Sequence, residues 1–191
     1  MKKIWREEQM ILIIADSNEE NFGSRLYSYY KDKNEDVEFI AASDLDIKPC
    51  YACGGCTKKT FGKCLVRDDM DTIIPLLMKC ETIIYTSPLV WGGFSYIIKK
   101  IVDKMALTGS VFYKEKNKEL VKGTISNMKK LIGIGIGDNI PDKERLSFES
   151  LIKEIAIIID IKYLGKVFTK AFTESDMENL VLEVNKLWNI Y

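Results

Sequence analysis

The stretch Met10-Ile-Leu-Ile-Ile-Ala15, followed at once by Asp16-Ser-Asn-Glu-Glu-Asn-Phe-Gly-Ser24, decides the architecture of this 191-residue chain. An unbroken apolar run with three β-branched residues, ended by polar ones, describes a strand buried on both faces, the habit of a parallel sheet. Working outward, four further runs repeat the pattern: Val37-Glu-Phe-Ile-Ala41, Thr82-Ile-Ile-Tyr85, Leu131-Ile-Gly-Ile-Gly-Ile136 and Tyr163 to Thr169. Helical periods lie between them. Phe94, Ile97, Ile98, Ile101, Val102 and Met105 form one apolar stripe, and Lys99, Lys100, Asp103 and Lys104 fill the opposite face. Leu151, Ile152, Ile155, Ile158 and Ile159 mark a helix before the fifth strand; Met177, Leu180, Val181, Val184, Leu187 and Trp188 mark one after it. Ser24 to Lys33 reads as a weaker helix, and Asp68 to Cys80 as one that Pro75 makes start late or bend. Residues 109 to 129 read as a Lys-rich solvated connection.

Strands alternating with helices imply an open parallel sheet covered on both faces. The expectation is an α/β, flavodoxin-like three-layer sandwich formed by residues 1-191 as a single domain. Its five-stranded parallel sheet takes the order 2-1-3-4-5, by analogy with that fold. The ligand then lies beyond the carboxyl ends of the strands, where the first and third diverge.

Lys plus Arg equal Asp plus Glu at 28 each, which argues against nucleic acid or an anionic membrane as partner and favours small molecules. No stretch approaches the roughly 20 apolar residues of a membrane helix, and Met10–Ala15 is too short for a signal-peptide core. The expected location is the cytoplasm, where thiols are kept reduced and five cysteines read first as metal or redox ligands. Histidine is absent from the chain, which excludes Ser-His-Asp and Cys-His nucleophilic chemistry and His-ligated zinc. Hard chemistry then falls to a cofactor.

Cys50, Cys53, Cys56 and Cys64 form a C-x2-C-x2-C-x7-C array after the second strand. The two-residue gaps let one tight turn, helped by Gly54 and Gly55, deliver three thiolates to one centre while Cys64 returns from the far side. A 4Fe-4S cluster suits this spacing better than zinc, which normally takes two separated Cys pairs; free thiols are the bland alternative. Cys80 lies outside the array and reads as a buried hydrophobe.

Two loops at the expected carboxyl edge suit a flat, phosphorylated ligand. In Thr86-Ser-Pro-Leu-Val-Trp-Gly-Gly93, a Pro and two Gly shape a turn whose amides can reach a heteroaromatic ring beside Trp91, although such strand-to-helix turns are commonly structural. In Asp16 to Ser24, the side chains of Ser17, Asn18, Asn21 and Ser24 and a helix N-terminus can hold a phosphate. Glu19 and Glu20 oppose it.

These segments together resemble the NAD(P)H-dependent FMN reductase family of the flavodoxin-like superfamily, and within it the iron–sulfur flavoproteins. The resemblance rests on Ile47-Lys-Pro-Cys50 through Cys64, Asp68-Asp-Met-Asp71, Ser87-Pro-Leu-Val-Trp-Gly92, and Ile98-Lys99 to Asp103-Lys104. It implies an FMN whose phosphate sits at Ser17, Asn18, Asn21, Gly23 and Ser24. Its ring would rest against Ser87, Pro88, Leu89, Val90, Trp91, Gly92 and Gly93, closed on the other side by Gly137 and Asp138. The resemblance also implies a soluble small-molecule or protein electron donor and acceptor, possible use of NAD(P)H, and a homodimer or homotetramer. The family's phosphate loop usually opens Gly-Ser-Pro followed by a basic residue, whereas this chain has Asp16-Ser17-Asn18-Glu19; Val90 replaces a common aromatic. Three functions follow in order: an FMN-dependent electron-transfer iron–sulfur flavoprotein, an NAD(P)H-dependent FMN or quinone reductase without a cluster, and a non-catalytic flavodoxin-fold sensing module.

Overall fold

The computed structural model describes residues 10–19 and 21–187. Glu20, Trp188 and the basic N-terminal segment lie outside them. The chain runs β1 (Ile11–Ala15), α1 (Phe22–Asp32), β2 (Val37–Ala41), a short α2 (Gly55–Lys58), α3 (Met70–Lys79), β3 (Thr82–Pro88) and α4 (Tyr96–Asp103). A 3-10 turn at Lys104–Thr108 follows, then β4 (Lys114–Lys116), β5 (Glu119–Val121), β6 (Lys130–Ile136), α5 (Asp142–Ile159), β7 (Lys162–Phe168) and α6 (Glu174–Lys186).

The main sheet is parallel throughout, in the order β2-β1-β3-β6-β7, so its five strands follow the expected 2-1-3-4-5. Alternation along β1 divides the interior. Leu12 and Ile14 join Tyr85, Ile98, Phe148 and Ile152 on the face covered by α3, α4 and α5. Ile13 turns the other way, to Leu26, Ile84, Ile132 and Leu180 beneath α1 and α6. Two cores, one per face, are what strands apolar on both sides require.

Several boundaries differ from the sequence reading for local reasons. β3 continues through Ser87 and Pro88 because its partner β6 is equally long, pairing Ser87 with Gly135 and Pro88 with Ile136. α3 starts late, at Met70, and carries Pro75 inside it. α5 begins nine residues before the apolar stripe at Leu151, since Asp142–Ser150 adds only Phe148 to the core. The Lys-rich connection also contains a small antiparallel hairpin, β4–β5, turning through Asn117 and Lys118 with both φ positive. Left-handed residues at both turn positions match the twist of a tight hairpin. Among the described residues no helix is long and apolar enough to cross a membrane.

Candidate functional site

A cleft of about 340 Å³ opens at the carboxyl ends of β1, β3 and β6, within the size range of cofactor sites. Asp16, Ser17, Glu19, Asn21 and Phe22 line it from the β1–α1 loop, Thr86, Ser87 and Pro88 from β3, Ile136 from β6, and Lys170 and Phe172 from the segment after β7.

Its floor is a fixed polar network. Ser95, the N-cap of α4, donates from its hydroxyl to the Asp16 carboxylate and accepts from the Ile98 amide at 3.3 Å. The Ser95 amide in turn donates to Ser87 Oγ at 2.8 Å. The end of β1, the end of β3 and the start of α4 are thereby locked together, with Thr86 and Ser87 only 3% and 2% exposed. Gly23 brings α1 close to this floor: a Cβ there would stand 2.5 Å from Thr86 Oγ1 and 2.9 Å from Ala15 Cβ.

The side chains read as phosphate donors are partly committed elsewhere. Asn21 caps α1, accepting from the Ser24 amide at 3.1 Å, while Ser24 Oγ accepts from the Asn21 amide at 3.0 Å. Asn18 Nδ2 donates to the Asp44 carboxylate at 3.2 Å. Ser17 and Asn21 line the cleft; Asn18 and Ser24 are absent from its lining. Among the described residues, the cation lining the cleft is Lys170, which the sequence reading missed. The segment after β7 belongs to the same carboxyl edge, so extending the edge rule to the fifth strand would have found it. Asp138 Oδ1 accepts from the Lys170 amide at 3.0 Å, and the Gly137 amide donates to the Phe168 carbonyl at 3.0 Å. Gly137 and Asp138 thus tie down the segment that carries the cation. Phe22 packs against Phe168 and Phe172 with centroids 4.9 and 4.7 Å away, making an aromatic wall.

Beyond β3 the chain forms a tight turn, with Val90 and Gly93 exchanging backbone hydrogen bonds of 3.0 and 2.9 Å. Trp91 and Gly92 at its tip have φ of 51° and 74°. Gly92 suits that conformation; Trp91 holds it under strain, with its side chain 90% exposed. Leu89 is half-buried against the core and donates its amide to the Ile136 carbonyl at 2.9 Å. Leu89 to Gly93 do not line the cleft itself.

The cysteine loop is organised differently. Asp68 and Asp69 clasp its base: Asp68 accepts from the Lys48 and Met70 amides at 2.8 and 3.1 Å, and Asp69 from the Asp46 amide at 2.8 Å. Lys104, beyond the end of α4, makes an ion pair with Asp68 in which the side chains are 1% and 2% exposed. Burial alone would raise the Asp68 carboxyl, but Lys104 and the two amides outweigh it and hold it below the ordinary carboxylate range. Within the loop, Gly54 adopts φ 66° to start α2, and the Gly62 amide returns to the Cys56 carbonyl at 3.0 Å.

Cys50 and Cys53 are exposed, while Cys56 and Cys64 are half-buried against the core. Burial pushes the Cys56 thiol up, Lys122 pulls it back, and Cys50 and Cys64 add to the rise, so these three lie within electrostatic reach of one another. Among the described residues no three His, Cys, Asp or Glu side chains are already gathered about a metal position. The donor chemistry suits an iron–sulfur cluster, but the thiols must converge to bind it. Cys80 is buried in the core, its thiol pushed up to about 12. None of the cysteines lines the cleft. α2 packs instead on Lys104–Thr108, at the far end of α4 from Ser95, roughly 12 Å away along that helix.

No family model matches the chain. It is 35% identical over 69 residues to an iron-sulfur flavoprotein of Methanocaldococcus jannaschii, covering 36% of this chain and 35% of that protein. It is 28% identical over 88 residues to an iron-sulfur flavoprotein of Methanosarcina thermophila, covering 46% and 45%. The chain thus matches less than half the length of these curated relatives. Its fold is shared with an NAD(P)H:quinone oxidoreductase of Methanothermobacter marburgensis at TM-score 0.62 and 9% identity, covering 94% and 96% of the two chains. An azoreductase of Bacillus anthracis aligns at TM-score 0.59 and 15% identity, again covering 94% and 96%. The chain therefore has a flavodoxin-like fold and is similar over part of its length to iron-sulfur flavoproteins.

Proposed function

We propose that the chain is an FMN-dependent electron-transfer oxidoreductase in which Cys50, Cys53, Cys56 and Cys64 together hold a 4Fe-4S cluster. The observation that carries the reading is the cleft at the carboxyl ends of β1, β3 and β6, closed by Lys170 and an aromatic wall. Lys170, Ser17 and the start of α1 supply donors for a phosphate, and Thr86, Ser87 and Pro88 offer a rigid ledge for a flat ring. When bound, FMN takes two electrons and releases them singly, and a cluster carries one at a time. The residues of the chain hold and orient these groups: the Asp16–Ser95–Ser87 network keeps the ledge still, and the Asp68–Asp69 clasp fixes both ends of the thiol loop.

Because the cysteine loop packs at the far end of α4, the reading places the electron path between subunits of a homodimer or homotetramer. The exposed Trp91, Tyr96 and Tyr51 supply surface for that association. A soluble donor, NAD(P)H among the candidates, serves the flavin in the cytoplasm. A second reading, an NAD(P)H-dependent FMN or quinone reductase without a cluster, is supported by the fold shared with an NAD(P)H:quinone oxidoreductase.

Anaerobic reconstitution decides between them. Cluster absorption, about four irons per chain and a low-temperature paramagnetic signal are expected, and each should be lost in Cys56→Ser and Cys64→Ser but kept in Cys80→Ser. Full occupancy in the first two variants, or loss only in the third, would overturn the ligand set.

A further inference from the structure

We propose that Lys122, from a distant part of the chain, is the fixed counter-charge of the thiol loop, and that it raises the potential at which a cluster held by Cys50, Cys53, Cys56 and Cys64 is reduced. The inference rests on the cluster reading above and adds to it a residue that supplies no ligand.

The geometry starts at the platform beneath the loop. α2 packs on Lys104–Thr108, and a Cβ at Gly62, on the loop's return, would stand 3.4 Å from the Leu107 carbonyl oxygen. Directly after that platform the chain meets the segment following β5: Gly109 bridges Thr124, and the Ser110 amide donates to the Gly123 carbonyl at 3.1 Å. Lys122 enters here. Its amide donates to the Ile158 carbonyl of α5 at 2.7 Å, which pins its backbone. Its stem lies across Gly109, where a Cβ would stand 3.3 Å from Lys122 Cδ and 3.5 Å from Cε. The ammonium at the end of that stem comes within electrostatic reach of the Cys56 sulfur.

The other charges near the loop are paired or screened. Asp68 pairs with Lys104, Asp46 with Lys48 and Asp71 with Arg67. No acidic residue occurs from Ile47 to Arg67, and Lys58, Lys59 and Lys63 are exposed, where water and salt weaken their fields. Lys122 is half-buried, and among the described residues the ion pairs of the neighbouring hairpin join Lys114 and Lys116, not Lys122, to Asp160. It has lost hydration without gaining a carboxylate. Four thiolates about an iron–sulfur centre supply the missing anion. Reduction adds one electron, delivered by the reduced flavin in the proposed path, and with it one further negative charge. A fixed cation therefore stabilises the reduced form more than the oxidised one, which raises the potential.

Two measurements on the full chain test this. In anaerobically reconstituted protein titrated with dithionite and followed by paramagnetic resonance, Lys122→Met keeps the stem and removes the charge. It should retain the iron content but shift the one-electron reduction equilibrium about threefold to tenfold toward the oxidised form, tenfold being about 59 mV. Lys122→Arg should restore the equilibrium, and Lys118→Gln, an equal loss of charge at the exposed hairpin turn, should leave it unchanged. In the reduced, iron-free chain, the rate of Cys56 alkylation by anionic iodoacetate relative to neutral iodoacetamide should fall about threefold in Lys122→Met, because that ratio reads the local field and not the thiolate fraction. An unchanged potential in fully loaded Lys122→Met, an equal shift in Lys118→Gln, or an unchanged alkylation ratio would overturn the inference. Failure of the unmodified chain to take up iron would overturn the cluster reading and with it the effect on potential, whereas the alkylation ratio reads the proximity of Lys122 to Cys56 separately.

Discussion

The cleft proposed for the flavin rests on Thr86 and Ser87, almost fully buried near the end of β3, whereas the thiols ride on a loop that exposes Tyr51 and Phe61 by 67% and 64%. In the cleft, Thr86 and Ser87 belong to a strand paired on both sides, and their positions follow from the hydrogen-bonded register of β1, β3 and β6. In the loop, the base is fixed through Asp68 and Asp69 and α2 packs on Lys104–Thr108, yet the four sulfurs have no common centre among the described residues. A site on strand ends is preorganised by the sheet; a site on a loop is completed by what it binds. The two regions should therefore respond differently to the same kind of perturbation.

The largest effect is expected at the clasp. Asp68→Ala leaves Lys104 buried without its counter-charge, which costs about 3–5 kcal/mol, measurable by urea unfolding. Alkylation of Cys50 and Cys53 should accelerate in the surviving folded protein while FMN affinity is kept. A parallel fall in FMN affinity would show that the two regions are mechanically one. The pH dependence follows from the depressed Asp68 carboxyl. Its stabilising contribution is fully present above the unfolded value of about 3.9, and is lost as pH falls through the lower folded value. Stability measured from pH 6 downward should thus drop below about pH 4 in the unmodified chain, and more shallowly in Asp68→Ala.

A smaller effect is expected at the turn after β3. Gly92→Val puts a branched side chain at φ 74°, with a Cβ 2.9 Å from Ser147 Cβ and 3.2 Å from the Glu144 carbonyl oxygen. The cost is about 1–3 kcal/mol, and FMN titrations should weaken because the turn can no longer pack on α5, while iron content after reconstitution stays the same. Equal loss of both cofactors would erase the contrast between the regions.

The smallest effect sharpens the cleft alone. Lys170→Gln should lower FMN affinity about threefold to tenfold and leave riboflavin, which lacks the phosphate, unchanged. Glu19→Gln should leave FMN affinity equal or improved, since it removes negative charge from the same cleft. Equal weakening of FMN and riboflavin by Lys170→Gln would place the phosphate elsewhere.

Residues that act through their neighbours in sequence were legible in advance. The apolar runs disclosed all five strands of the main sheet, because burial on two faces leaves no polar alternation, and the stripe from Phe94 to Met105 disclosed α4. The cysteine spacing disclosed a candidate ligand set for the same reason: its chemistry is local. The first half of α5 was hidden, since only Phe148 in Asp142–Ser150 reaches the core. The β4–β5 hairpin was hidden because three-residue strands of exposed lysine and glutamate carry no hydrophobic signal. Asp68 was visible as part of a motif, but its partners Lys48 and Lys104 lie 20 and 36 residues away, and only packing unites them. Lys170 likewise faces a cleft whose other residues come from the ends of three different strands. By itself, then, the sequence determined the period of each element and the donors each loop carries, because both are set within a few residues. Which loops meet was decided by the tertiary structure alone, since the order and register of the strands arise from contacts between segments far apart in the chain.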